Sequence, residues 1–155
     1  MKATRAMEIL EAARVSYELR TFESDGFTPA TEAAGKLEIP PSTMFKTLIA
    51  RGERRGVVLA LVPGDATLSL RKLAQQMGDK RAEMVDASEI TRLTGFVKGG
   101  VSPLGGRRDY PTFLDRSALG HPRIVVSAGM RGRVLVLAPG DLVRLTNATV
   151  ADLVE

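Results

Sequence analysis

Residues 44–62, MFKTLIARGERRGVVLALV, decide how the chain is read. An apolar run over 44–50 is broken by Lys46 and Thr47, the polar turn Gly52-Glu53-Arg54-Arg55-Gly56 follows, and 57–62 is then continuously apolar. Short apolar runs bounded by glycine and charge read as strands, and two of them joined through the polar turn Gly52 to Gly56 predict a hairpin.

Upstream, Ala6, Ile9, Leu10 and Ala13 recur at helical spacing within 4–14, which predicts a helix docked by one face. Residues 15–22 alternate apolar and polar and predict a half-buried strand, which runs into the polar loop Glu23-Ser24-Asp25-Gly26. An Ala-rich helix is expected over 31–37, closed by Ile39-Pro40-Pro41.

Downstream, Pro63-Gly64-Asp65 ends the second strand. Ser69 is placed to cap a helix carrying Leu70, Leu73, Ala74 and Met77, with Gly78 as its left-handed stop. A strand over 81–85 is followed by Asp86 and, three places on, Glu89, a capping-box-like start for a helix to about Leu93. Residues 94–106, TGFVKGGVSPLGG, hold five glycines and a proline, too many for any regular element, and predict a shaped loop. Strands are expected at 112–114, 123–127 and 133–137, with Gly129 and Gly132 in the turn between the last two, and short closing helices at 139–145 and 150–154. Helices and strands interleave without repeat or linker, so residues 1–155 are expected to form a single α+β domain with a mixed sheet flanked by short helices.

A chain of 155 residues with 44% hydrophobic content can bury a core without metals or disulfides. It contains no cysteine, which excludes a disulfide framework, a thiolate nucleophile and cysteine-ligated zinc, and suits a reducing compartment. The amphipathic start MKATRAMEILEAARV is no signal peptide, and no run is long enough to cross a bilayer. The cytoplasm is therefore expected, without a membrane partner. A net charge of +4 and a pI near 9.8 favour a polyanion, and Arg54-Arg55, Lys80-Arg81, Arg107-Arg108 and Arg131 with Arg133 fall in clusters near turns.

Neither a Walker loop nor a dinucleotide fingerprint is present. Zinc hydrolysis and a Ser-His-Asp arrangement would both depend on the single histidine, His121, which stands before Pro122 and reads as a turn residue. Glu8 and Glu11 lie on a helical solvent face, and Asp86 with Glu89 is accounted for by capping. No metal or cofactor is expected. What remains is Lys46 inside an apolar strand and the loop Gly99-Gly100-Val101-Ser102-Pro103-Leu104-Gly105. Lys46 either snorkels from an edge strand or lines a pocket and meets a ligand anion or carbonyl. The loop is either a structural turn or a rigid cradle whose bare N–H groups approach a substrate oxygen.

Four stretches carry a resemblance: Phe45-Lys46-Thr47-Leu48, Leu70-Arg71-Lys72-Leu73-Ala74, the loop from Thr94 through Gly105, and Val126-Ser127-Ala128-Gly129-Met130-Arg131-Gly132. In this order the chain resembles the YbaK/EbsC family. The resemblance implies the mixed, partly barrel-like sheet shared with the editing domain inserted in bacterial prolyl-tRNA synthetases. It also implies deacylation in trans of Cys-tRNA(Pro), acting at the acceptor CCA end of the mischarged tRNA with the synthetase as partner and no cofactor; the oligomeric state is left open. The implied mechanism is substrate-assisted: the cysteine thiol attacks its own ester carbonyl and leaves as a cyclic thiolactone. Holding thiol and carbonyl together can supply up to ~7 to 11 kcal/mol, so the enzyme needs no nucleophile of its own.

By the same resemblance Lys46 and Gly99 are the catalytic positions, Lys46 anchoring the terminal adenosine or its phosphate and Gly99 facing the ester with its backbone. Phe22, Thr47, Gly100, Ser102, Pro103, Gly105 and Ser127 are the implied substrate-binding positions, Ser102, Pro103 and Gly105 by keeping the loop in shape. Phe22 stands where close relatives often carry tyrosine, which removes one polar contact to the substrate. Two rivals follow: a relative that removes alanine or another small residue with water, and a non-catalytic module that binds tRNA or synthetase.

Overall fold

The computed structural model describes residues 2–155. Helix α1 (Arg5–Ala12) starts where the Thr4 hydroxyl accepts the Met7 N–H at 3.3 Å, and it buries Ala6, Met7 and Leu10. Strand β1 (Tyr17–Thr21) follows, then α2 (Ala30–Leu37), which ends on Glu38 in the left-handed conformation. The hairpin read from residues 44–62 is β2 (Phe45–Gly52) and β3 (Gly56–Pro63). Both ends of α3 (Leu70–Met77) are as expected: the Ser69 hydroxyl accepts the Lys72 N–H, and Gly78 closes it at φ +73°. Then come β4 (Ala82–Met84), α4 (Ile90–Thr94), β5 (Thr112–Asp115), β6 (Ile124–Met130), β7 (Arg133–Leu137), α5 (Pro139–Thr146) and β8 (Thr149–Ala151).

The α+β class with mixed pairing holds, and the strands divide into two sheets. One is antiparallel, in the order β1-β7-β6; the other, β4-β2-β3-β5-β8, is antiparallel across β4, β2 and β3 and parallel across β3, β5 and β8. They touch through a parallel bridge between Met44 and Val125, which is as far as the expected barrel-like closure goes.

The sheets face each other across a core of Phe45, Leu61, Leu114, Ile124 and Leu135, closed by Leu10 of α1 and Leu142 of α5. On its other face the five-stranded sheet packs Ala60, Val62 and Phe113 against Leu73 and Met77 of α3. The continuous apolar run of β3 is thereby explained: this strand is covered on both sides. Helix α2 covers the outer face of the small sheet through Ala33, Ala34 and Leu37 against Val125 and Val134.

Three details differ from the sequence reading. Residues 150–154 were expected as a helix, but Thr149 and Val150 suit a pleated strand, and β8 pairs in parallel with β5. Gly129 lies within β6, not in the turn: the register passes from Ser127↔Val134 to Met130↔Arg133, so Ala128 and Gly129 form a bulge, and the two-residue turn is Arg131-Gly132. Asp86 does cap, accepting the Ser88 N–H at 3.0 Å, but it opens a short 3-10 turn over Ala87–Glu89 ahead of α4; the Glu89 carboxylate bonds mainly to Arg51 and Arg92, with the Asp86 N–H a lesser partner.

Candidate functional site

A cleft of about 210 Å³ opens where the two sheets part. Its floor is the start of β2, its walls are the β6–β7 hairpin and the end of β1, and its rim is built from the loops before α2 and after α4.

β2 reaches the cleft with one edge open. It pairs with β4 at Ala50, Arg51 and Gly52, and the Val85 N–H adds a bond to the Ile49 carbonyl at 3.1 Å. In an antiparallel pair alternate residues turn both backbone groups away from the partner, so Thr47, two before Ile49, aims its own N–H and C=O away from β3 toward that open edge. The Thr47 hydroxyl is buried and has no hydrogen-bond partner among the described residues. An orphaned buried hydroxyl costs about 1–3 kcal/mol, which any ligand atom able to bond it would offset.

Lys46 is half-buried, and its ammonium donates to the Gly64 carbonyl at 3.3 Å. Among the described residues no carboxylate lies within ion-pair distance of it. Lys46 lines the cleft, and its ammonium, with one carbonyl partner, has bonding capacity to spare.

Opposite stands Ser127, whose hydroxyl accepts the Gly129 N–H at 3.1 Å across the bulge. Above it the glycine loop is pinned to the hairpin: the Arg131 guanidinium donates to the Lys98 carbonyl at 2.7 Å. Gly99 takes φ +85°, and a Cβ there would come within 2.8 Å of the Phe27 ring. At Gly100 a Cβ would be 3.2 Å from the Arg131 nitrogen, so the loop lies backbone against backbone on the hairpin tip. Phe22 completes the wall, with the Lys36 ammonium 6.0 Å from its ring centroid.

The structure thus gathers Lys46, Thr47, Gly99, Phe22 and Ser127 around one cleft, with Gly100 buttressing it from behind. Ser102, Pro103 and Gly105 face a separate cavity of about 330 Å³ beside α1. There the Ser102 hydroxyl accepts the Leu104 N–H at 3.2 Å, and Gly105, at φ +81°, passes so close that a Cβ would be 3.0 Å from the Ala6 nitrogen. These three anchor the base of the loop and do not reach the Lys46 cleft.

Sequence reading missed Phe27, Lys98, Met130 and Arg133, all of which line the cleft. The ammonium of Lys98 lies 4.8 Å from the Phe27 ring centroid, a cation–π contact at the mouth. The available signal was an aromatic residue directly after a polar loop, where folding alone gives no reason for one.

Among the described residues no aspartate, glutamate or histidine lines the cleft. It offers cations, hydroxyls and bare backbone, a set that binds and polarises but has no evident general base.

Comparison with known proteins fits this inventory. A family model described as an aminoacyl-tRNA editing domain matches residues 24–145. An Enterococcus faecalis protein named provisionally as a Cys-tRNA(Pro)/Cys-tRNA(Cys) deacylase, EbsC, is 37% identical over 97% of this chain and 92% of its own. A proline–tRNA ligase of Thermotoga maritima is 31% identical over 70% of this chain, which corresponds to 18% of that enzyme. A crystal structure described provisionally as a trans-editing enzyme for prolyl tRNA synthetase superposes with a TM-score of 0.85 at 31% identity, covering 97% of this chain and 95% of that one.

Proposed function

This chain belongs to the aminoacyl-tRNA editing domain family, and from that premise we propose that it removes misattached amino acids from tRNA as a free-standing cytoplasmic deacylase, with Cys-tRNA(Pro) as its first substrate and prolyl-tRNA synthetase as the partner that presents it. One observation carries the reading: the cleft joins Lys46, the orphaned Thr47 hydroxyl, Ser127 and the bare Gly99 backbone, and among the described residues no aspartate, glutamate or histidine lines it to serve as a general base. Its volume lies below the ~300–1,000 Å³ usual for drug-sized ligands, which suits an aminoacyl group and part of its ribose better than a whole nucleotide.

A substrate thiol fills the chemical gap. The cysteine sulfur attacks its own carbonyl carbon, a C–S bond forms, the C–O bond to the ribose breaks, and the ribose oxygen departs with the proton the thiol gives up. Lys46 holds the ester or the adjoining phosphate, and fixed donors around Gly99 meet the developing oxyanion.

The test is the deacylation rate of purified protein on cysteinyl-, alanyl- and prolyl-tRNA(Pro), each with and without the synthetase. Rapid loss of cysteine alone is expected. Preferential loss of alanine would replace the thiol by water, and loss of none would make the protein a binding module.

A further inference from the structure

Beside the cleft runs a second groove, lined among others by Lys2, Arg5, Phe96, Met130 and Arg133. Among the described residues it holds three cations and no acid, and it shares Met130 and Arg133 with the cleft, so the two adjoin at the β6–β7 hairpin. Lys2 and Arg5 are exposed. The Arg133 guanidinium donates to the Lys2 carbonyl at 3.0 Å, which fixes the N-terminal segment as the groove's far wall. Ion pairing elsewhere draws on Arg20, Arg51, Lys72, Arg92, Arg116 and Arg144, whereas among the described residues Lys2, Arg5 and Arg133 have no carboxylate within 4.0 Å. Met130, which lines both cleft and groove, is an exposed apolar side chain at 45%.

We propose that this groove is the track for the single-stranded nucleotides leading to the esterified end: Lys2, Arg5 and Arg133 hold their phosphates while Met130 and Phe96 meet a base. A connected line of unpaired cations with apolar contacts is what an unpaired strand needs, because counterion release supplies affinity and apolar faces accept any base. The proposal rests on the function assigned to the cleft, and it gives the substrate a direction: it enters past α1 and crosses the hairpin before its end reaches Lys46.

The variant is Lys2→Ala/Arg5→Ala, outside the cleft. Binding is measured by fluorescence anisotropy against salt, using an RNA hairpin with a single-stranded 3′ tail ending in CCA and the same hairpin without the tail. The variant is expected to bind the tailed RNA ~10-fold more weakly, with the salt slope reduced by ~0.7 for each cation removed, and the blunt hairpin as the parent does. Unchanged binding, an equal loss on both RNAs, or no binding by the parent protein overturns the proposal. Deacylation is followed in parallel on aminoacyl-tRNA and on 3′-aminoacyl-adenosine, which is too short to reach the groove. A fall in kcat/KM confined to the tRNA is expected, and an equal fall on both also overturns the track. If the parent protein cleaves neither ester, the deacylase reading fails, while the binding experiment still decides the groove.

Discussion

The Lys46 ammonium is held 3.3 Å from the Gly64 carbonyl, so the turn that ends β3 positions the charged group at the start of β2. The same turn donates the Gly64 N–H to the Met44 carbonyl at 2.6 Å. The lysine is anchored by backbone and not by an acid, which leaves its charge unneutralised for an incoming substrate. Lys46→Ala is expected to lower deacylation by about 100-fold or more with stability changed by less than ~1 kcal/mol. Kinetics beside a thermal melt check both halves, and a fully active variant would remove Lys46 from the mechanism.

Gly99→Ala combines left-handed strain of ~1–2 kcal/mol with a Cβ 2.8 Å from the Phe27 ring. The ring must swing away, opening or blocking the mouth, and turnover should fall. Adding Phe27→Ala removes the steric half, so the double variant should be no less stable than the sum of the two singles predicts, which a double-mutant cycle of melting free energies measures.

Thr47→Val separates stability from activity. It replaces a buried hydroxyl that has no partner with a methyl of similar shape, so stability should hold or rise by up to ~1 kcal/mol while kcat/KM falls. Denaturant titration and kinetics on one preparation decide this, and a loss in both would mean that the hydroxyl serves the fold.

Acid stability should depend on Asp79. Its carboxylate accepts the backbone N–H groups of Arg55, Arg54 and Lys80 at 2.8, 2.9 and 2.7 Å, and these bonds, the one from Arg55 foremost, hold its pKa below the ordinary value. A folded pKa lower than the unfolded one stabilises above the unfolded value and is lost as the pH falls through the folded one. Asp79→Asn should therefore lower Tm at neutral pH, and the gap to the parent protein should close below pH ~4. A gap that persists there would mean that packing, not charge, is at stake; the site is tight, since a Cβ on Gly52 would collide with the Asp79 carboxylate.

Most helix and strand positions were legible because local chemistry decides them: the Ser69 and Gly78 ends of α3, the hairpin turn, and the continuous apolar run of β3. What stayed hidden depends on distant partners. Thr149 and Val150 become a strand because β5 lies beside them, and the Glu89 carboxylate is drawn mainly to Arg51, which arrives from another strand. The site divides the same way. Lys46 stood out as a charge in an apolar run, and Thr47, Gly99 and Ser127 came from motif resemblance. Phe27, Lys98 and Arg133 became visible only once the fold had brought three loops together. Ser102, Pro103 and Gly105 share the motif with Gly99, yet the loop turns between them and sends the two ends to different cavities.

The pairing of β8 with β5 bears on how the molecule is made. Asp115, buried on β5, accepts the Leu153 N–H at 2.9 Å, the Leu153 carbonyl accepts the Ser69 N–H at 2.7 Å, and the Glu155 N–H reaches the Thr67 carbonyl at 3.0 Å. Residues 149–155 thus tie β5 to the approach of α3 across more than half the chain's length. During translation, which proceeds from the N-terminus, every earlier strand can leave the ribosome before this seam closes. A nascent chain halted at Ala148 would lack the Leu153 N–H that Asp115 accepts and leave Leu153's place in the core unfilled, so this seam closes only after residues 149–155 have emerged.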